Sequence, residues 1–370
     1  MSTKKIWSRV ISMVLVLALL PVSALAQYGA DSTIDPHVVN EPKFEVNYVY
    51  VDPEAELLGL RIDRLPQYDF SVLGSKSVSS IAQAGEYLRE QFEKREEAIS
   101  VTVNNYQCNS QAQLDNDIAA LQEALLEHTG IPTQGDYITR HLTTYGITGG
   151  LSGTKLTLNW TVAYKTTAAQ EEAVDARVDE LIEQWDTEYD IHELSDEEKI
   201  TVVYDYICDN VVYDYEHLSQ GSSYPLMFSA YGALIDGSAV CQGYSNLFYR
   251  LALELGVDTR IISGVGRGGP HSWNITQLGE CYYYLDSTWD AGYEECAYFL
   301  LGSKAFLRDH VLDEEFKSKE FQKEYPVSED DYDSDAALQE TAEQAGLLNY
   351  FESFAMDEEL TRLDLAKLVA

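Results

Sequence analysis

The stretch SAVCQGYSNLFYRLALELGV, residues 238–257, holds the pattern around which the rest of the chain can be read. Tyr244, Leu247, Phe248, Leu251 and Leu255 recur at three- and four-residue steps and Gly256 supplies a stop, so the spacing predicts an amphipathic helix. Cys241 stands three residues before Tyr244, on the same apolar stripe and in the first turn. There the unpaired N–H groups and the helix dipole favour a thiolate over a thiol. A cysteine on an apolar stripe is by itself a core residue. Chemistry requires partners from elsewhere in the chain.

Thirty residues on, HSWNITQL (271–278) and CYYYLDSTW (281–289) are β-prone runs that meet at Gly279-Glu280, a hairpin signal. With those two residues as the turn, Leu278 opposes Cys281, and Asp286 opposes Trp273, one diagonal step from His271. Diagonal neighbours share a face of the sheet at about 7–8 Å, so an imidazole and a carboxylate point the same way. A slip of one residue would separate them. A histidine beside a helix-terminal thiol can take its proton, and an aspartate on the other ring nitrogen fixes the tautomer and steadies the imidazolium. Singly, His271 reads as a strand histidine and Asp286 as a turn former. Their joint occurrence with Cys241 makes these three the candidate catalytic residues.

AVCQGYSNLF, HSWNI and YYYLDSTWD resemble, in the same order, the three active-site motifs of the bacterial transglutaminase-like superfamily. KITVVYDYICDNVVYDYEH resembles the helix that leads into that domain, so the resemblance spans residues 195–320. It implies a papain-like α+β core in which the cysteine helix packs on an antiparallel sheet carrying the other two residues. Cys241 is then the nucleophile, His271 the general base and acid, and Asp286 the residue that orients it. One departure stands out: position 235 is Ile235, and no side-chain oxyanion donor precedes Cys241 at a fixed spacing. The backbone N–H of Cys241 supplies one donor, and Tyr224 and Tyr231 are candidates for the second. Trp273, Trp289 and Tyr282 to Tyr284 either line a cleft or form the buried face of the sheet. GRGGP (266–270) lacks the lysine and the strand–helix context of a phosphate loop, and reads as a flexible approach to His271.

Lys4, Lys5 and Arg9 precede the apolar run VISMVLVLALL, and the small residues Ala24–Ala26 precede Gln27. This is the pattern of a secretory signal peptide over residues 1–26, with an apolar part too short for a membrane span. No cysteine follows the cleavage position, which argues against a lipid anchor. The expectation is a secreted protein, extracellular or cell-wall associated, with no membrane contact after signal removal. The formal charge is −37, becoming −40 once Lys4, Lys5 and Arg9 leave. Such a surface repels nucleic acid and anionic lipid. Five cysteines remain, Cys108, Cys208, Cys241, Cys281 and Cys296, without CxxC pairs or zinc-ligand spacing. Two disulfides with a free Cys241, or four reduced structural cysteines, fit equally. The chemistry calls for no metal or organic cofactor, and SEDDYDSD lacks the glycine and terminal glutamate of a calcium loop.

The chain divides in this reading into an N-terminal α+β accessory region (27–190), the catalytic domain (191–320), a solvated acidic linker (321–335) and a C-terminal helical unit (336–370). Residues 81–99, 114–130 and 168–185 read as helices, 100–106 as a strand, and 137–148 and 154–166 as strands about a turn. Ser195 and Glu198 make a capping-box pattern at the start of the second domain. The tail AGLLNYFESFAMDEELTRLDLAKLVA resembles the latter part of a surface-layer homology module, with Phe354 seven residues before Thr361-Arg362. That resemblance implies contact with cell-wall polysaccharide through Arg362, in a single incomplete copy. An ordinary amphipathic helix is the alternative. The expected function is a thiol enzyme acting on protein or peptide amide bonds through a thioester, by transglutaminase-like acyl transfer. A cysteine protease or amidase with the same triad, and an inactive wall-binding scaffold, stay open as alternatives.

Overall fold

A computed structural model describes residues 44–52, 65–219, 224–293 and 296–334. The expected signal peptide and the C-terminal unit lie outside the described residues. The first half contains β1 (Glu45–Val51), β2 (Lys76–Val78), α1 (Ile81–Glu93), β3 (Ala98–Asn104), α2 (Gln111–Leu126), α3 (Asp136–His141), β4 (Leu142–Ser152), β5 (Lys155–Tyr164) and α4 (Ala168–Tyr189). The strands form one sheet in the order β1-β4-β5-β3-β2, antiparallel except for the β2–β3 pair. Strand period sets its core: Leu156, Leu158, Trp160 and Val162 of β5 all point inward, against Leu88 and Phe92 of α1 and Leu114 and Leu121 of α2. The helices start where serine side chains cap them, Ser80 for α1 and Ser110 for α2.

Two expectations need correcting in this half. The helix expected over 81–99 stops at Glu93, because Arg95 takes a positive φ of 58° and the chain turns into β3. The strand expected from Tyr137 begins only at Leu142. Residues 136–141 are a short helix that buries Tyr137, Ile138 and His141 on one side, with Asp136 at its positive end and Arg140 at its negative end.

The second half contains α5 (Asp196–Asn210), β6 (Val212–Tyr213), α6 (Tyr215–Ser219), α7 (Ala230–Leu234), β7 (Ser238–Ala239), α8 (Cys241–Glu254), β8 (Thr259–Gly266), β9 (Gly269–Leu278), β10 (Cys281–Leu285), α9 (Ser287–Asp290), α10 (Ser303–Phe306), β11 (His310–Leu312) and α11 (Lys319–Glu324). The capping box of Ser195 and Glu198 is present at α5. Four strands form an antiparallel sheet in the order β10-β9-β8-β11, and β6 pairs with β7 in a short parallel ribbon. The β9–β10 register places Leu278 opposite Cys281 across Gly279-Glu280, as the sequence predicts. α8 packs on β8 and β9, and its residues share one core with α4 and α5. The fold class is therefore α+β.

GRGGP is not a loose loop. Gly266 pairs with Gly269 across Arg267-Gly268, both at positive φ, which is the backbone of a tight two-residue hairpin turn. Nor is the stretch after residue 324 a solvated linker. Tyr325 is buried, Val327 bridges to Tyr282, and Tyr332 N donates to Leu300 O at 3.0 Å, so this segment runs along the outer edge of β10. Its acidic side chains disguise three anchoring apolar positions. All five cysteines are free. No helix among the described residues is long and apolar enough to cross a membrane.

Candidate active site

The seat of the thiol is α8. Cys241 is its first residue, half-buried, after Val240 as N-cap. No side chain caps this end, and the first N–H groups of a helix have no intrahelical partner. The helix is buried on every side from Gln242 to Leu253, which corrects the amphipathic expectation. Its polar residues are buried because remote elements supply partners. Gln242 Nε2 donates to Arg140 O at 2.6 Å, Ser245 Oγ meets Ser272 Oγ at 2.8 Å, and Asn246 Nδ2 donates to Phe228 O at 2.9 Å. Tyr244 OH donates to Val211 O at 2.7 Å. Gly243 is required by close approach: a Cβ there would lie 2.5 Å from Ala239 Cβ and 2.9 Å from Met227 O.

His271 lies on β9, opposite Gly264 of β8. The bare backbone of Gly266 gives its ring room, since a Cβ at 266 would fall 2.8 Å from His271 Cδ2. Trp289 covers the ring from one side, stacked at 4.9 Å. His271 Nε2 is 2.7 Å from Asp286 Oδ2, and both residues are buried. Asp286 is also the N-cap of α9: its Oδ1 accepts from Thr288 N at 3.1 Å and Trp289 N at 3.3 Å, so the carboxylate is oriented by backbone. Burial lifts the Asp286 carboxyl, but the charge of His271 and the hydrogen bonds from His271 and His310 outweigh it and hold the group below its ordinary range. Burial likewise opposes the His271 imidazolium. The Asp286 carboxylate, followed by a hydrogen bond with Cys241, overcomes it and raises the His271 pKa to about 10. The three residues singled out in the sequence thus meet at one point.

The sequence reading missed His310. This residue starts β11 at the far edge of the sheet and is fully buried, with its Nε2 3.2 Å from the same Asp286 Oδ2. No local motif marks it; only the β8–β11 pairing brings it in. Among the described residues, His271, Asp286 and His310 are the one group of this kind with donor atoms close enough to gather on an ion, all within 4.8 Å of one another. In the structure their facing atoms are engaged with each other as hydrogen bonds.

Of the aromatic cluster, Tyr282 and Tyr284 belong to the buried core, whereas Trp273, buried in the same core, lies 5.7 Å from the His271 ring and Trp289 lies 4.9 Å from it. Tyr213, on β6 beside the chain leading into Cys241, is held above its ordinary pKa by burial and then by the neighbouring thiol. It opens onto a hollow of about 440 Å³ lined also by Asp214, Tyr215, His217, Tyr224 and Asp236. Tyr224 OH donates to Asp236 Oδ2 at 2.7 Å and its ring stacks on His217, which commits it to the hollow's wall. Tyr231 packs against the core. A larger hollow of about 820 Å³ between the end of α4 and the start of α5 contains none of the site residues.

Residues 183–291 match the family model of the transglutaminase-like superfamily. The kyphoscoliosis peptidase of Mus musculus is 25% identical over 142 residues, covering 32% of this chain and 21% of the relative. That of Homo sapiens is 24% identical over 174 residues, covering 40% and 25%. The chain therefore spans a quarter or less of the length of these curated relatives. Among solved structures, one described as a crystal structure of a TGase overlaps 60% of each chain with a TM-score of 0.28 and 14% identity, too slight a likeness to argue from.

Proposed function

We propose that this chain is a thiol enzyme that attacks amide carbonyls of proteins or peptides outside the cell, with Cys241 as nucleophile, His271 as proton carrier and Asp286 as the group that holds it. The observation that carries the reading is the buried His271–Asp286 hydrogen bond at 2.7 Å on an imidazole whose other partner is the thiol at the start of α8. The match of residues 183–291 to the transglutaminase-like model supports a cysteine enzyme in general.

The thiolate sulfur attacks the carbonyl carbon and the negative charge moves to the oxygen, near the N–H groups at the start of α8. Collapse breaks the C–N bond while the His271 imidazolium gives its proton to the leaving amine. A thioester on Cys241 remains, and His271 is now neutral. It then takes a proton from the incoming nucleophile, whose attack breaks the C–S bond and frees the thiolate, restoring the thiolate–imidazolium pair. If that nucleophile is an amine the outcome is acyl transfer; if water, hydrolysis. Hydrolysis is a second reading, favoured by the peptidase named in both curated relatives.

One experiment tests the reading. The secreted chain, expected to begin at Gln27, is treated with iodoacetamide across pH, and modification of Cys241 is followed by mass spectrometry. Fast alkylation near pH 6 that weakens in His271→Ala supports a held thiolate. Alkylation only above about pH 8, as for a free thiol, sinks the mechanism, and a chain still beginning at Met1 removes the export part. Incorporation of a primary-amine probe into a glutamine peptide, set against peptide cleavage, separates transfer from hydrolysis.

A further inference from the structure

We infer that His310 is a positioning residue of this site: a doubly protonated imidazole that shares the Asp286 carboxylate with His271 and so tempers the grip of Asp286 on the His271 proton. The inference rests on the thiol-enzyme reading above. Its ground is the hydrogen-bonding inventory of one buried ring. His310 Nε2 faces Asp286 Oδ2 at 3.2 Å, and its Nδ1 faces Asp309 Oδ1 at 2.9 Å and Phe306 O at 3.2 Å. Every one of these partners accepts and none donates. A neutral imidazole presents one N–H and one lone pair, so one of its nitrogens would turn a lone pair onto a facing oxygen, either the fully buried Asp286 Oδ2 or the pair formed by Phe306 O and the half-exposed Asp309 Oδ1. With a hydrogen on each nitrogen, all three contacts become favourable.

The surroundings fit a placed cation. The ring stacks on Phe306 at 3.9 Å and lies 4.2 Å from Trp289, 4.9 Å from Trp273 and 5.6 Å from Tyr298. A phenylalanine would fill that aromatic box without any desolvation cost. The charged partner that His310 Nε2 finds inside it is the same carboxylate oxygen that holds His271. The titratable and charged groups facing the pair are Asp286, Asp309, Tyr298, Cys241 beyond His271, and Arg267, which lies over the Trp289 ring at 4.0 Å. A carboxylate bonded to one imidazolium alone would bind its proton tightly. A second cation on the same oxygen weakens that hold, and a general acid–base must release its proton near the working pH.

Two measurements on the full chain test this. In a ¹⁵N-histidine spectrum near pH 7, both ring nitrogens of His310 are expected to bear hydrogen; one bare nitrogen overturns the inference. Stoichiometric zinc or manganese at the cluster, found by elemental analysis, overturns it too, because Nε2 would then be a ligand. The second measurement is the pH profile of Cys241 alkylation by iodoacetate. Being an anion, iodoacetate favours the thiolate–imidazolium pair, so its rate falls at high pH as His271 loses its proton. His310→Phe should move that falling limb upward by about one pH unit, while His310→Gln, which keeps a donor but loses the charge, should move it less far in the same direction. If both variants fold, by circular dichroism and melting, and neither moves the limb, the positioning role is refuted. A wild-type chain with no thiolate plateau at all would refute the thiol-enzyme reading, and this inference with it.

Discussion

At the scale of single residues, the His271–Asp286 pair couples chemistry to stability. His271 keeps its proton to about pH 10 in the fold, against 6.5 for the free side chain. A base whose pKa is raised by folding stabilises the fold fully below its unfolded value, and that contribution drains away as pH climbs through the folded value. Asp286 has the opposite sense: its depressed pKa contributes above the ordinary 3.8 and is lost only as pH falls through the acid range. The pair is thus fully effective between about pH 4 and 6.5 and fades toward pH 10. Replacing His271 with alanine should cost about 2–4 kcal/mol near pH 6, and the gap to wild type should narrow by pH 10. Urea unfolding at pH 6, 8 and 10 measures this; a gap that stays constant would show that the imidazole is not held charged. These residues were legible because each obeys a local rule, a helix start for Cys241 and a two-residue turn for the other pair. His310, 24 residues beyond Asp286, obeys none, since it arrives through an edge-strand pairing that no nearby pattern announces.

At the scale of elements, the helix that carries the thiol is more deeply set than its sequence suggests. Its apolar stripe gave its position and its start. Its polar face looked solvated because Gln242, Ser245, Asn246 and Arg250 would ordinarily be so. Their partners, Arg140 O, Ser272, Phe228 O and Asp175, come from four separate stretches and are invisible to a periodicity. The contact that fixes the height of the first turn is the absence of a side chain at Gly243. Gly243→Ala would force a methyl within 3.0 Å of Ala239 Cβ and of the carbonyls of Met227 and Ser229, two of which are rigid backbone. Overpacking of this kind costs about 1–3 kcal/mol. The start of α8 should also shift away from His271. A lowered melting temperature should therefore come with slower alkylation of Cys241 near pH 6. Destabilisation with an unchanged alkylation rate would mean that the turn holding the thiol is seated by something other than this contact.

At the scale of the whole molecule, the question is whether the region before residue 190 is separable from the site. Composition and motif reading place a boundary there, because all the chemistry lies beyond it. The packing runs across it. α4 shares the core of α8, and the stretch between α2 and β4 is fastened under the second sheet. Asp136 accepts from Arg260 Nε at 2.7 Å, from Arg260 Nη2 at 2.9 Å and from Ile261 N at 2.9 Å, with both side chains largely buried. Nearby, His128 Nε2 meets Asp258 at 2.8 Å and Tyr249 OH donates to Gln134 O at 3.0 Å. Burial raises the Asp136 carboxyl, but Arg260 more than compensates and keeps it ionised below its ordinary range. Asp136→Asn would leave the Arg260 guanidinium without its counter-charge in a buried place, a loss of about 3–5 kcal/mol. If the two sheets fold as one unit, Trp160 in the first and Trp273 in the second, each studied as the sole tryptophan, should report coincident urea transitions. Asp136→Asn should then lower both midpoints together. Movement of the Trp273 transition alone would show that the first sheet is an independent accessory domain. The outcome bears on catalysis as well, since Gln242, the neighbour of the thiol, is anchored to Arg140 O at the end of the same short helix that Asp136 begins. A chain loosened at Asp136 should therefore alkylate more slowly at Cys241 even where it remains folded.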